Sequence, residues 1–384
     1  MKNKIIFLDS YSDASGGAPK SMLMLALLLK KEKFDVRIIT ANTGKLVELA
    51  TENKVNCESV NVPSYLMKRR SALSSSFLSI IMYFFSIINL WVYLCKKNTR
   101  KKFTADFICI NDIRCFLFYL PILVINKNKL IWYVRINDRV RIITKIAVIL
   151  SKKIILVSSS CKKLFTSSEL SKYQSKIEII HTGFKSPKTH IKEYNKDEKK
   201  FLTISFIGVI SKRKNIELLI DSVSLLPFEI RKKIIVNVIG DCKVDEKNYM
   251  SEIEKKINEL KLNSNFLFLG HKENLENYYL NSDLVVLTSF QEGLPRVILE
   301  ALSYGIYCIS TMVDGINDII ISDEIGTITR SYEPSDLSTL ISSSIENLEY
   351  INSYNNIKFR YKYISTNFST DAFSRKFMNC LSSI

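Results

Sequence analysis

The chain has 384 residues, more than one ordinary hydrophobic core supports, so two domains are expected. Hydrophobic residues make up 47% and charged residues 24%, which excludes a disordered polymer. The net charge of +17 favours anionic partners, yet no aromatic RNP signature or zinc-finger spacing is present, so nucleic acid is not expected among them.

Lys4 to Asp9 reads as a short buried strand, because Ile5, Ile6, Phe7 and Leu8 run without a polar break. A polar loop, Ser10 to Pro19, precedes an apolar run from Lys20 to Lys30 that is rich in the helix formers Met, Leu and Ala. Val36 to Thr40 is a second strand, and strand, loop, helix, strand is a βαβ unit with a parallel, right-handed crossover. Phe107 to Ile110, Leu130 to Val134, Ile154 to Val157 and Lys176 to Ile180 continue the pattern. The polar stretch from Lys185 to Lys200, with Pro187, is expected to link the domains.

The second half repeats the grammar. Strands are expected at Leu202 to Ile207, Ile234 to Ile239, Asn265 to Leu269, Leu284 to Leu287 and Tyr307 to Ser310. Helices are expected at Asn215 to Leu225, at Tyr249 to Leu260, and up to Tyr304 with Gly305 as the stop. Strands that end in Gly and feed a helix imply α/β architecture: two Rossmann-like, doubly wound domains facing across a cleft. The expected boundaries are 1–184, a linker 185–200 and 201–365, with a C-terminal helix at about 366–384 packing back on the first domain.

Residues 71 to 95 carry no charge and are long enough to span a membrane. Basic residues flank both ends: Lys68, Arg69 and Arg70 before, Lys96, Lys97, Arg100, Lys101 and Lys102 after. A single span would also put the first strands and all later ones on opposite sides, so the sheet could not form. Two readings stand. One is a long helix packed partly on the sheet and partly open to lipid, its lysines meeting anionic headgroups at about 1 kcal/mol each. The other is a buried crossover helix with a solvated basic end.

No Cys-x-x-Cys pair occurs among the eight cysteines, and none of the three histidines has metal-ligand spacing, so reduced thiols and no bound metal are expected. Met1 to Asp9 shows no long apolar signal region, so the chain is expected to stay on the cytosolic side.

The chemistry-bearing segment runs from Ser289 to Gly305 and includes Glu292-Gly-Leu-Pro-Arg-Val-Ile-Leu-Glu300. Pro295 suits the first helical turn, and the amides of Leu294, Arg296 and Val297 would then face an oxygen-rich, negative ligand. Eight residues at about 100° each do not bring Glu292 and Glu300 onto one helix face, so the two carboxylates serve different roles.

This segment resembles the Glu-x7-Glu motif of retaining glycosyltransferases of family 4, which have the GT-B fold. The resemblance implies that Glu292 lies near the donor sugar and that Glu300 accepts hydrogen bonds from the nucleotide ribose. It also implies that the Gly293, Leu294, Pro295, Arg296 and Val297 backbone holds sugar hydroxyls. Phe206-Ile-Gly208 through Lys214-Asn215 resembles the family's strand–Gly–x5–Lys segment, which assigns Lys214 to the donor diphosphate. The family's Arg after the glycine is Val209 here, and Arg213 or Lys212 stands in for it. Ser15-Gly16-Gly17-Ala18-Pro19 resembles the N-terminal glycine loop, Ile179 to Phe184 the end of the first domain, and Arg135 stands where relatives often carry His. Asp241, Lys272 and Glu273 sit at strand ends where relatives hold the base.

The implied activity is metal-independent, cofactor-free transfer with retention, from a nucleotide-sugar donor to a glycan or lipid-linked glycan acceptor, as in capsule or O-antigen assembly. A nucleotide-sugar 2-epimerase shares this architecture, and Val209 keeps a non-catalytic binding protein open as a third reading.

Overall fold

The computed structural model describes residues 3–10, 12, 17–67, 77–135, 139–184, 192, 201–242 and 247–384. Two compact units divide the chain: Met1–Gly183 with Phe373–Ile384, and Phe184–Ala372.

The first unit is built on a seven-stranded sheet with order β3-β2-β1-β4-β5-β6-β7. Its strands are β1 (Lys4–Asp9), β2 (Asp35–Ala41), β3 (Asn56–Val60), β4 (Phe107–Ile110), β5 (Leu130–Val134), β6 (Lys153–Leu156) and β7 (Ile177–Ile179). Every pairing is parallel. Central strands β1 and β5 are buried almost end to end, as expected where helices cover both faces. Phe373 and Phe377 of the C-terminal segment pack within this unit. The Phe377 ring stacks on Phe7 and Tyr133, both at 6.5 Å, and Phe373 lies 6.3 Å from Tyr133.

The second unit has a six-stranded parallel sheet with order β10-β9-β8-β11-β12-β13. These strands are β8 (Leu202–Ile207), β9 (Ile234–Ile239), β10 (Phe266–Phe268), β11 (Leu284–Leu287), β12 (Tyr307–Ser310) and β13 (Gly326–Ile328). Along β11, Leu284 and Val286 join the core on one face of the sheet, and Val285 and Leu287 join the other. The strand order reverses direction between β8 and β11. In open α/β sheets such a switch point opens a crevice at the carboxyl ends of the strands.

Several sequence expectations shift. The first helix runs Gly17–Lys31, so Ala18 and Pro19 belong to its first turn and not to the loop. The uncharged segment forms a helix at Phe77–Cys95, while residues 71–76 lie outside the described ones. It is not a buried crossover: only 17% of Leu78–Cys95 is buried. Lys192, in the stretch expected to be a linker, is 4% exposed. Its Nζ donates to the Ser282 carbonyl (2.7 Å) and to Asp283 Oδ1 (2.9 Å), a buried ion pair that pins this residue into the second unit. The remaining linker residues lie outside the described ones.

Candidate functional site

Three glycines end adjacent strands of the second unit: Gly208, Gly240 and Gly270, with φ of 151°, 143° and 68°. At Gly240 a Cβ would stand 2.0 Å from the Gly208 carbonyl oxygen, so the β8 and β9 ends can abut only without side chains. Over Gly208 lies the Lys214 side chain, 3.4 Å from where a Cβ would be. Lys214 closes a short 3-10 turn, Lys212–Lys214, and Asn215 takes a left-handed conformation (φ 50°) before the Ile216–Ser224 helix.

Across the switch point, the loop after β11 brings Glu292 to this lysine. Lys214 Nζ donates to Glu292 Oε1 at 2.7 Å, and each side chain is only 14% exposed. Ser289 Oγ donates to the same oxygen at 2.8 Å, and Arg213 Nη1 at 3.2 Å. Arg213 Nη1 also donates to the Gln291 carbonyl, and the Phe290 amide donates to the Arg213 carbonyl. The two loops are therefore laced together over 78 residues of intervening chain. Of the two candidates to stand in for the missing arginine, Arg213 reaches the carboxylate, whereas Lys212 turns to the Tyr249 ring at 5.8 Å.

The Arg296–Ser303 helix starts directly after this loop, with Pro295 as its N-cap residue and not its first helical one. Pro295 supplies the first carbonyl acceptor, to the Ile298 amide at 3.2 Å. The amides of Arg296 and Val297 precede any intrahelical acceptor and so point outward with the positive end of the helix dipole. Gly315 (φ 78°) presses on the same loop: a Cβ there would lie 2.4 Å from the Gly293 oxygen and 3.2 Å from Leu294 Cα. It fixes where the Gly293–Leu294 backbone runs, and the Asp314-Gly315 turn signal marks it in the sequence.

Glu300 occupies a separate environment. Tyr279 Oη donates to its Oε2 at 2.9 Å, and Arg296 approaches Oε1 at 3.8 Å. Burial pushes the Glu300 carboxyl above its ordinary value, while Tyr279 and Arg296 pull it back. The Tyr279 ring stacks on Tyr304, with centroids 5.3 Å apart, so the hydroxyl is held in place from behind. Sequence reasoning did not find Tyr279; the carboxylate it holds was the only signal.

Asp241 Oδ1 accepts from the His271 amide at 2.9 Å, joining the β9 and β10 ends. Lys272 and Glu273 follow in that loop and make no hydrogen bond to the Glu292 group among the described residues. Gly16 lies outside the described residues, and Gly17 opens the first helix of the first unit with open space where a Cβ would be.

The first unit holds its own polar group at the ends of β1, β4 and β5. Asn111 Nδ2 donates to Asp9 Oδ2 (2.5 Å), Arg135 Nε to Asn111 Oδ1 (2.6 Å), and Arg135 Nη1 to Ser21 Oγ (2.5 Å). The guanidinium lies over the Tyr133 ring at 3.9 Å, and burial pushes it below its ordinary value.

Comparison with known proteins places this geometry. Residues 187–359 match the family model for glycosyl transferases group 1. The structure of Anabaena Alr3699/HepE, solved in complex with UDP, matches 99% of this chain and 100% of its own with a TM-score of 0.76 at 18% identity. A glycosyltransferase from Rickettsia africae matches 100% and 98% with a TM-score of 0.75 at 17% identity. The fold is the GT-B arrangement of two Rossmann-like domains. Among curated relatives, the Staphylococcus aureus capsular polysaccharide biosynthesis glycosyltransferase CapH is 27% identical over 175 residues, 46% of this chain and 47% of the relative. CapM of the same organism is 26% identical over 200 residues, 48% and 50% of the two chains. The chain thus spans about half the length of these curated relatives.

Proposed function

We propose that the chain transfers a hexose-type sugar from a nucleotide-sugar donor to a glycan or lipid-linked glycan acceptor in cell-surface polysaccharide assembly, on the cytoplasmic side. The observation that carries this is the Lys214–Glu292–Arg213 group. It sits at the sheet's switch point, directly before a helix N-terminus. Cations and outward amides gathered there suit a diphosphate, whose charge grows as the sugar–oxygen bond breaks. In this reading Lys214 stabilises the leaving diphosphate and Glu292 orients the donor sugar. Glu300 receives the ribose hydroxyls. The Gly293–Val297 backbone lines the sugar. The capsular relatives and the UDP-bound structural neighbour support a nucleotide-sugar donor and a glycan product.

Retention and metal independence belong to the same proposal. Charge neutralisation is assigned to Lys214, Arg213 and the helix amides, and Glu292 is not a nucleophile, since the departing phosphate assists the incoming hydroxyl on the same face. The test is a panel of nucleotide sugars screened for thermal stabilisation, then transfer by the best one with and without chelator. The anomeric configuration of the product is read by NMR. Transfer with retention that survives chelation is the expected result. A panel without one stabilising nucleotide, or epimerised donor formed without acceptor, overturns the reading.

A further inference from the structure

The Phe77–Cys95 helix has a face that its own unit does not use. Ile87, Leu90 and Leu94 are buried, a seam at helical spacing that packs on the neighbouring Cys115–Phe118 and Leu120–Ile125 helices. Two hydrogen bonds fasten the helix near its ends: Tyr65 Oη donates to the Ser79 carbonyl (3.0 Å), and Trp91 Nε1 to the Leu117 carbonyl (2.9 Å). Away from that seam Ser79, Ser86 and Asn89 are the polar residues, and most of the other side chains are large and apolar. Leu78, Met82, Phe84, Phe85 and Val92 are each more than half exposed, Phe84 and Phe85 at 64% and 63%. The adjoining Leu120–Ile125 helix adds Val124 and Ile125, exposed at 50% and 56%. A water-facing helix carries polar residues at such positions, and a contiguous apolar face of this extent marks an interaction surface.

The charges at one end of this face indicate what covers it. Directly after Cys95 come Lys96, Lys97, Arg100, Lys101 and Lys102, all exposed. Lys102 pairs with Glu58 at 3.4 Å, whereas Lys97, Arg100 and Lys101 meet no carboxylate within ion-pair distance among the described residues. Lys97, Arg100, Lys101 and Lys129 line a groove of about 590 Å³ together with Ile122 and Ile125. Cationic groups and apolar side chains thus share one opening at the end of the apolar face. A bilayer surface offers the matching pair of features in the same order, acyl chains beneath anionic headgroups.

The topology fixes the orientation. β1 precedes the helix, β4 follows it, and the two are hydrogen-bonded neighbours in one sheet. Both helix ends therefore return to the same side, so the helix lies along a surface and does not cross it. Its length, about 28 Å for 19 residues, is then contact length in the plane of the membrane.

We propose that this face of the first unit is an in-plane docking surface for an anionic lipid bilayer. The Phe77–Cys95 helix enters the headgroup–acyl boundary, and the Lys97–Arg100–Lys101 groove receives anionic headgroups. This surface is separate from the donor site, and the proposal stands whether or not the transfer reading holds.

Flotation of the full chain with vesicles tests it. The chain is expected to float with phosphatidylglycerol-rich vesicles at low salt and to float much less with phosphatidylcholine alone. In about 1 M salt, where the Debye length is about 3 Å, binding to the anionic vesicles should weaken. Phe84→Ser with Phe85→Ser, and separately Lys97→Glu with Lys101→Glu, should each lower the partition coefficient by at least about tenfold. These residues are exposed, so the melting temperature and nucleotide binding should stay at wild-type values. Failure of the full chain to float with anionic vesicles at low salt overturns the proposal. So does a phenylalanine variant that floats as wild type does. A dimer that this variant splits, in a chain that ignores vesicles, assigns the face to a second copy and also overturns it.

Discussion

Replacing Lys214 with alanine separates a ligand-binding role from a structural one. In the free protein the ammonium rests 2.7 Å from Glu292 Oε1, with both side chains 14% exposed. Alanine leaves that oxygen with the Ser289 hydroxyl and the Arg213 guanidinium, so the carboxylate is not orphaned. Unfolding free energy should therefore fall by only about 1–2 kcal/mol, well short of the cost of stranding a buried charge. A charge-assisted bond from this lysine to a nucleotide diphosphate is worth about 1.5–3 kcal/mol, which converts to a ten- to 150-fold rise in Kd at about 1.4 kcal/mol per decade. Calorimetric titration with UDP measures the second quantity and urea unfolding the first. Glu292→Gln supplies the control. If Lys214 served only as partner to Glu292, both single variants would lose the same affinity and the double variant no more. A Kd within about twofold of wild type in a Lys214→Ala chain of near-normal stability would refute the diphosphate assignment.

Glu300 carries a pH signature. Its carboxyl is raised by burial, so the native chain holds this proton more tightly than the unfolded one, and stability falls as pH rises from the ordinary glutamate value through the raised one. Glu300→Gln should melt higher than wild type at neutral pH while binding nucleotide more weakly. Wild-type affinity should climb through the same pH window, and the variant should stay flat across it. Lys192→Met removes the cationic partner of a buried Asp283, which keeps the Thr203 amide, and should cost about 3 kcal/mol in urea unfolding. Gly240→Ala forces a Cβ to 2.0 Å from the Gly208 oxygen at a φ of 143°, and a loss of at least about 3 kcal/mol is expected. Gly315→Ala acts through the Gly293 carbonyl, so titration with UDP-glucose should show a larger loss of affinity than titration with UDP.

The sequence was most legible where burial is continuous. β1, β5, β8, β9, β11 and β12 each appear as an unbroken or alternating apolar run and were placed within a residue or two. The edge strands β3 and β13 were not read. Asn56-Cys-Glu-Ser-Val60 shows one fully buried side chain, and Gly326-Thr-Ile328 is three residues long, so neither leaves a period to detect. Both glutamates and Lys214 were legible because their chemistry is local: a strand end, a glycine, a helix start. Their contact was not, since the Lys214–Glu292 pair depends on β8 and β11 lying side by side, which is a property of strand order. Tyr279 escaped notice for the same reason. Lys192 was misread because its neighbours are polar and its buried partner lies 91 residues away.

The packing of residues 373–384 into the first unit bears on how the protein is made. Phe377 is wholly buried against Phe7 and Tyr133, at the start and the middle of the first sheet. Arg360, also fully buried, donates to the carbonyls of Gly305, Glu324 and Ile351, and so clamps the far end of the helix that begins at the candidate site. A nascent chain that has emerged only as far as residue 350 lacks both closures. Each sheet can pair its strands as they leave the ribosome, but the second unit cannot be sealed before Arg360 has emerged, nor the first before Phe377. Until then the unsealed first sheet exposes aromatic surface, and the nascent chain is an expected client for chaperones that bind such surface.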